Sequence, residues 1–162
     1  MRWQLAILAP LMIITRTVAT AAECEANLKP YVDKEFVIVK FTPSFKEATR
    51  SAAEAAGELG VGLKLRGLSP DLRTGLTFSK EECARIDFPY PCYVPRGRRD
   101  DGTYVSVEWS SDYGLFARAM YVVMIASSVP GSSENRRILE AARRVYPDAY
   151  AKRAKVYVGC LH

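Results

Sequence analysis

Met120-Tyr121-Val122-Val123-Met124-Ile125-Ala126, closed by the breaker Ser127-Ser128-Val129-Pro130-Gly131, is the stretch on which the fold turns. A short apolar run bounded by turn formers predicts a buried strand. Beyond it, Ser132 to Val145 is charged, alanine-bearing and of helical length, and Tyr146-Pro147-Asp148 is a turn. Lys155-Val156-Tyr157-Val158-Gly159 then predicts a second strand. Strand, helix, strand recurs near the start, as Phe36 to Phe41, a helix from about Ser44 to Leu59, and Val61 to Leu68. Two such units in a chain of 162 residues point to one α+β sandwich of split β-α-β type.

Local signals support the first unit. Ser44 with Glu47 three residues on is a capping box, and Gly60 is a helix stop. Phe45, Ala48, Ala52, Ala55, Ala56 and Leu59 form an apolar stripe at helical spacing. In the expected second strand Val61, Leu63 and Leu65 face inward, and Lys64 and Arg66 outward. The passage Ser69 to Asp101 is rich in turn residues and predicts a long loop between the halves, with a short helical turn from Ser79 to Cys83. Asp101-Gly102 is a turn signal. Thr103 to Ser111 alternates, with Val105, Val107 and Trp109 on one face and Tyr104, Ser106, Glu108 and Ser110 on the other. The second of these faces is expected to be wet and open to a ligand.

The first residues read differently. Met1-Arg2-Trp3-Gln4, the apolar run Leu5 to Ile14 and Ala19-Thr20-Ala21 form a secretory leader over 1–21, too short to span a membrane. The expected mature chain is a single domain, 22–162. Losing Arg2 and Arg16 lowers its net charge from +5 to +3. The basic residues gather late, at Arg136, Arg137, Arg143, Arg144, Lys152, Arg153 and Lys155. They form either a solvated face or a surface attracted to acidic polymers.

The four cysteines behind a leader predict two disulfides in an oxidising compartment. Three connectivities are open on sequence alone. In an antiparallel sheet of order 4-1-3-2 the first strand starts beside the end of the last, which selects Cys24–Cys160. Cys83–Cys92 then staples the proline-bearing loop. A zinc site is not expected, because the spacings match no finger and the one histidine is His162.

The second unit carries a family resemblance. Tyr121 to Ser128, then Ser133-Glu134-Asn135-Arg136-Arg137 opening a helix, then Asp148-Ala149-Tyr150-Ala151-Lys152 and Val156-Tyr157-Val158-Gly159, resembles a SPOR-type peptidoglycan-binding domain over residues 120–160. That family pairs an apolar strand ending in a small residue with a helix bearing Glu-Asn near its start, and ends a strand in Val-Gly. The chain differs from it by its cysteines and the long Ser69–Asp101 insertion. The resemblance implies a ferredoxin-like βαββαβ sandwich with an antiparallel sheet, two helices on one face and ligand on the other. Tyr104, Ser106, Glu108, Ser127 and Tyr157, with Arg96 from the loop, would line that ligand face.

Catalytic machinery is poorly supplied. One terminal histidine leaves Ser-His-Asp and Cys-His mechanisms without a base, and Gly57-Glu58-Leu59-Gly60-Val61-Gly62 lacks the spacing of a phosphate or dinucleotide loop. Glu108 with Asp100 or Asp101 is the remaining acid–base option, that of a carboxylate-dependent hydrolase. The expectation is a secreted or periplasmic, non-catalytic binding module without cofactor or metal. Its expected partner is a cell-wall glycan or an envelope protein, with no nucleic acid and no membrane span after cleavage.

Overall fold

A computed structural model describes residues 30–159 apart from 99 and 115. The expected leader, Cys24 and Cys160 lie outside the described residues. The elements are β1 (Tyr31–Thr42), α1 (Phe45–Leu59), β2 (Ser69–Asp71), β3 (Gly75–Thr77), α2 (Lys80–Arg85), β4 (Gly102–Trp109), a 3-10 turn (Ser110–Asp112), β5 (Tyr121–Ser128), α3 (Ser133–Arg143) and β6 (Tyr150–Tyr157). The fold class is α+β. β4, β5, β1 and β6 form one sheet in that order, antiparallel throughout. β2 and β3 make a separate hairpin.

Caps set the helix limits. The Ser44 hydroxyl accepts from the Glu47 N–H at 3.3 Å, and Gly60 ends α1 in a left-handed conformation, φ 62°. The return half of the capping box is diverted, because the Glu47 carboxylate takes the Thr42 hydroxyl at 2.6 Å and the Lys40 ammonium at 2.6 Å. Ser79 and Ser132 cap α2 and α3 in the same manner as Ser44. The first and last strands of the predicted pattern start earlier than their apolar runs, at Tyr31 instead of Phe36 and at Tyr150 instead of Lys155.

Expected strand Val61–Leu68 is a correction. It contributes only a parallel bridge, Leu63 to Val105 on β4. Arg66 and Gly67 both adopt positive φ, 56° and 65°, which ends extended structure. Leu63 is 41% exposed, whereas the Arg66 side chain turns inward to Glu108. The edge position that the predicted order assigns to Val61–Leu68 is therefore filled by β4.

One face of the sheet carries the two longer helices. Ala48, Ala52 and Ala55 of α1 and Ala142 of α3 pack on Val37, Val105, Val107, Val123 and Ile125. Each fully buried Val or Ile contributes roughly 1.5–3 kcal/mol, and the small alanines let α1 lie close. Asn135, buried near the start of α3, donates to the Glu35 carbonyl at 2.8 Å and ties that helix to β1. The opposite face is also apolar at its centre, where Phe36, Ile38, Val122, Met124, Ala154 and Val156 are covered by Tyr113 and Phe116. Tyr113 meets Phe36 edge-on, with ring centroids 5.1 Å apart.

Cys83 and Cys92 are joined, with Cα atoms 5.8 Å apart, in a small cluster with Phe78. Backbone bonds complete the staple. The Phe78 N–H donates to the Cys92 carbonyl at 2.9 Å, and the Cys92 N–H to the Thr77 hydroxyl at 3.1 Å. This anchoring launches the chain after Cys92 across the sheet face opposite the helices.

At the other end the Val158 N–H donates to the Pro30 carbonyl at 2.7 Å, so the two chain segments run side by side. Non-reducing peptide mapping is accordingly expected to recover Cys24 linked to Cys160. Cys24 joined to Cys83 or Cys92 would contradict that pairing. Three of the seven late basic residues have a carboxylate partner, Arg137 with Glu134 at 2.9 Å, Lys155 with Asp33 at 3.2 Å and Arg153 with Glu35 at 3.8 Å. Exposed pairs of this kind contribute about 0–1 kcal/mol each.

Candidate functional site

Five of the six residues expected at a ligand face do converge. Arg96, Tyr104, Ser106, Glu108 and Ser127 meet on the sheet side away from α1 and α3. The open face expected there is absent, since Arg96, Ser106 and Glu108 are 0% exposed and Tyr104 and Ser127 are also buried. The cover is the stapled loop after Cys92, which inserts Arg96 over the strands.

Arg96 is held on every side. Its Nη1 donates to the Tyr104 carbonyl at 2.8 Å and the Ser106 hydroxyl at 3.0 Å. Nε donates to the Ser127 hydroxyl at 3.2 Å, and Nη2 to the Gly102 carbonyl at 2.7 Å. The guanidinium carbon lies 3.6 Å from the Tyr104 ring centroid. Burial pulls the Arg96 pKa down, partly countered by Tyr104 and Glu108.

Glu108 is the second node. Its Oε2 accepts from Arg66 Nη2 at 2.7 Å, Tyr93 Oη at 2.5 Å, Tyr113 Oη at 3.1 Å and the Arg96 N–H at 3.2 Å. Burial, then the Glu108 charge, pushes both phenols well above their usual range, so they remain donors. Burial alone would lower the Arg66 pKa, but Glu108 and the neighbouring phenols outweigh it and the net shift is upward. Asp100 closes the loop, accepting the Gly97 N–H at 2.9 Å and the Tyr104 hydroxyl at 2.6 Å. Glu108 Oε1 and Arg66 Nε are buried without a hydrogen-bond partner among the described residues. The network is thus satisfied at Oε2 and around Arg96 and open at these two atoms, and the paired part holds the loop in place.

Tyr157, the sixth residue, lies elsewhere. It pairs in register with Tyr31, where β1 begins and β6 ends. The two rings are edge-on with centroids 5.3 Å apart. Beside them opens a recess of about 330 Å³ whose walls include Tyr31, Tyr93, Tyr157, Arg98, Ser111 and Asp112. That volume falls in the range of small-ligand sites, roughly 300–1,000 Å³. Tyr31 is 55% exposed. The Arg98 guanidinium carbon stands 5.6 Å from the Tyr157 ring centroid, and its Nη2 donates to the Gly159 carbonyl. Asp112 is exposed at the mouth, yet its carboxyl is pushed up to about 6, first by the surrounding protein and then by Glu108. Tyr93 joins recess and network, because it lines the one and its hydroxyl binds Glu108 in the other.

Tyr31, Tyr93, Arg98, Ser111 and Asp112 were not among the expected site residues. Tyr31-Val32 are β-favouring, but the charged Asp33-Lys34-Glu35 that follow break any alternation, so the earlier strand start has only a weak local signal. The loop residues carry no local signal, since their placement depends on strands distant in sequence. No family model, curated protein or solved structure matches the chain. The geometry of the recess is therefore the ground for a functional reading.

Proposed function

We propose that the protein is an exported, non-catalytic binding module that holds a cell-wall glycan in the Tyr31–Tyr157 recess. One observation carries the reading: three tyrosines, an arginine and a carboxyl line a single recess at one end of the sheet. Sugars bind where aromatic rings take their apolar faces and adjacent charged groups satisfy their hydroxyls. Strand adjacency and the two longer helices on one face support the ferredoxin-like βαββαβ arrangement. The Cys83–Cys92 disulfide supports a secreted or periplasmic setting. Among the described residues no helix is long and apolar enough to cross a membrane.

Co-sedimentation with purified sacculi tests the proposal. Tyr31→Ala with Tyr157→Ala is expected to weaken retention by about tenfold or more, the scale of losing aromatic anchors. Thermal melts alongside check that the fold persists. Equal retention of wild type and double variant, or none for wild type, would leave an envelope-protein interaction module instead.

A further inference from the structure

One carboxyl of the recess, Asp112, has no countercharge in contact, although Arg98 on the same walls keeps its own charge. Asp112 makes no hydrogen bond or ion pair among the described residues, and its nearest charged influence is the like-signed Glu108. The cations in reach are committed elsewhere. Arg66 is bound to Glu108, Lys155 to Asp33, and Arg98 to the Gly159 carbonyl and the Tyr157 ring. Around Asp112 stand Ser111 from the same turn, Tyr93 and Arg98 from the loop, Tyr31 from β1 and Tyr157 from β6. An unpaired carboxyl beside tyrosine faces is complementary to a positive charge, because the ring quadrupole is negative on its face. Arg98 lying over Tyr157 shows that this wall already accepts a cation.

We infer that the ligand carries a protonated amine, seated against Asp112 with its ring face on the exposed Tyr31, so that the recess selects an amino sugar over its N-acetylated form. This inference rests on the recess being the glycan site. An ammonium there relieves the repulsion between Asp112 and Glu108, whereas a neutral acetamide does not. Cation binding needs the ionised carboxylate, so affinity falls as pH drops below about 6. Binding near that pH releases a proton.

Titration calorimetry of the mature chain near neutral pH with a β-1,4-linked glucosamine tetrasaccharide and its fully N-acetylated counterpart is the test. The expected result is about tenfold tighter binding of the free-amine form, a preference of ~1.4 kcal/mol. Asp112→Asn, with an unchanged melt, is expected to abolish that preference, while Asp148→Asn in the distant turn keeps it. Equal or tighter binding of the N-acetylated sugar, or a preference that survives in Asp112→Asn, would overturn the inference and leave the glycan recess standing. Binding of neither sugar would overturn both.

Discussion

Glu108→Ala is expected to destabilise the domain by about 3–5 kcal/mol, the cost of breaking one side of a buried ion pair. Its Oε2 collects four donors, from Arg66, Tyr93, Tyr113 and the Arg96 backbone. Removing it takes the acceptor from Arg66 Nη2 and from the Tyr93 hydroxyl, and leaves the buried Tyr113 hydroxyl with only the Arg96 carbonyl at 3.2 Å. A typical domain has only about 5–15 kcal/mol in hand, so a large part of the stability goes. Urea unfolding of wild type and variant measures the loss directly. A change below ~1 kcal/mol would mean that the network contributes little and that the loop is held by other contacts. Alternation alone marks Glu108 as a solvent-side residue whose replacement is nearly neutral, so the measurement separates the two pictures.

Gly75→Ala is the second large effect, expected at roughly 2–5 kcal/mol from left-handed backbone strain and overpacking together. Gly75 sits at φ +71°, and a Cβ there would lie 2.1 Å from the Trp109 ring. Trp109 has little freedom to move away, since its ring packs 4.9 Å from Tyr121. The Tyr121 hydroxyl in turn donates to the Gly75 carbonyl at 3.2 Å. One added methyl therefore acts on three residues at once. Loss of near-ultraviolet signal from Trp109 and a lowered urea midpoint are the expected readouts. A midpoint equal to wild type would show that the hairpin shifts freely.

Much of the architecture was legible because its signals are local. The capping serines, Gly60, the alanine stripe of α1 and the unbroken run of β5 each declare themselves within a few residues. Val61–Leu68 misled because its apolar alternation imitates a strand. What decides against a strand is the turn at Arg66 and Gly67, where Arg66 reaches Glu108 across 42 positions of sequence. The polar face of β4 misled for a related reason. Alternation separates two faces of a strand but says nothing of what covers either one. Here the cover arrives from the stapled loop and from Tyr113 and Phe116, so Tyr104, Ser106 and Glu108 became interior groups. The candidate site was legible only at Tyr157, because the recess is assembled from a strand start, a strand end and two loops.

The two margins of the main sheet have a further consequence. On β4 the outer backbone is met by Leu63, and on β6 Gly114 bridges Lys155. Arg153 and Lys155 add charge along the same β6 margin. Backbone groups that would template a neighbouring chain are thus interrupted at both margins, and the charged side chains there disfavour an added strand. Concentrated protein should resist fibril growth by strand addition, and a protein partner would have to engage side chains instead of extending the sheet.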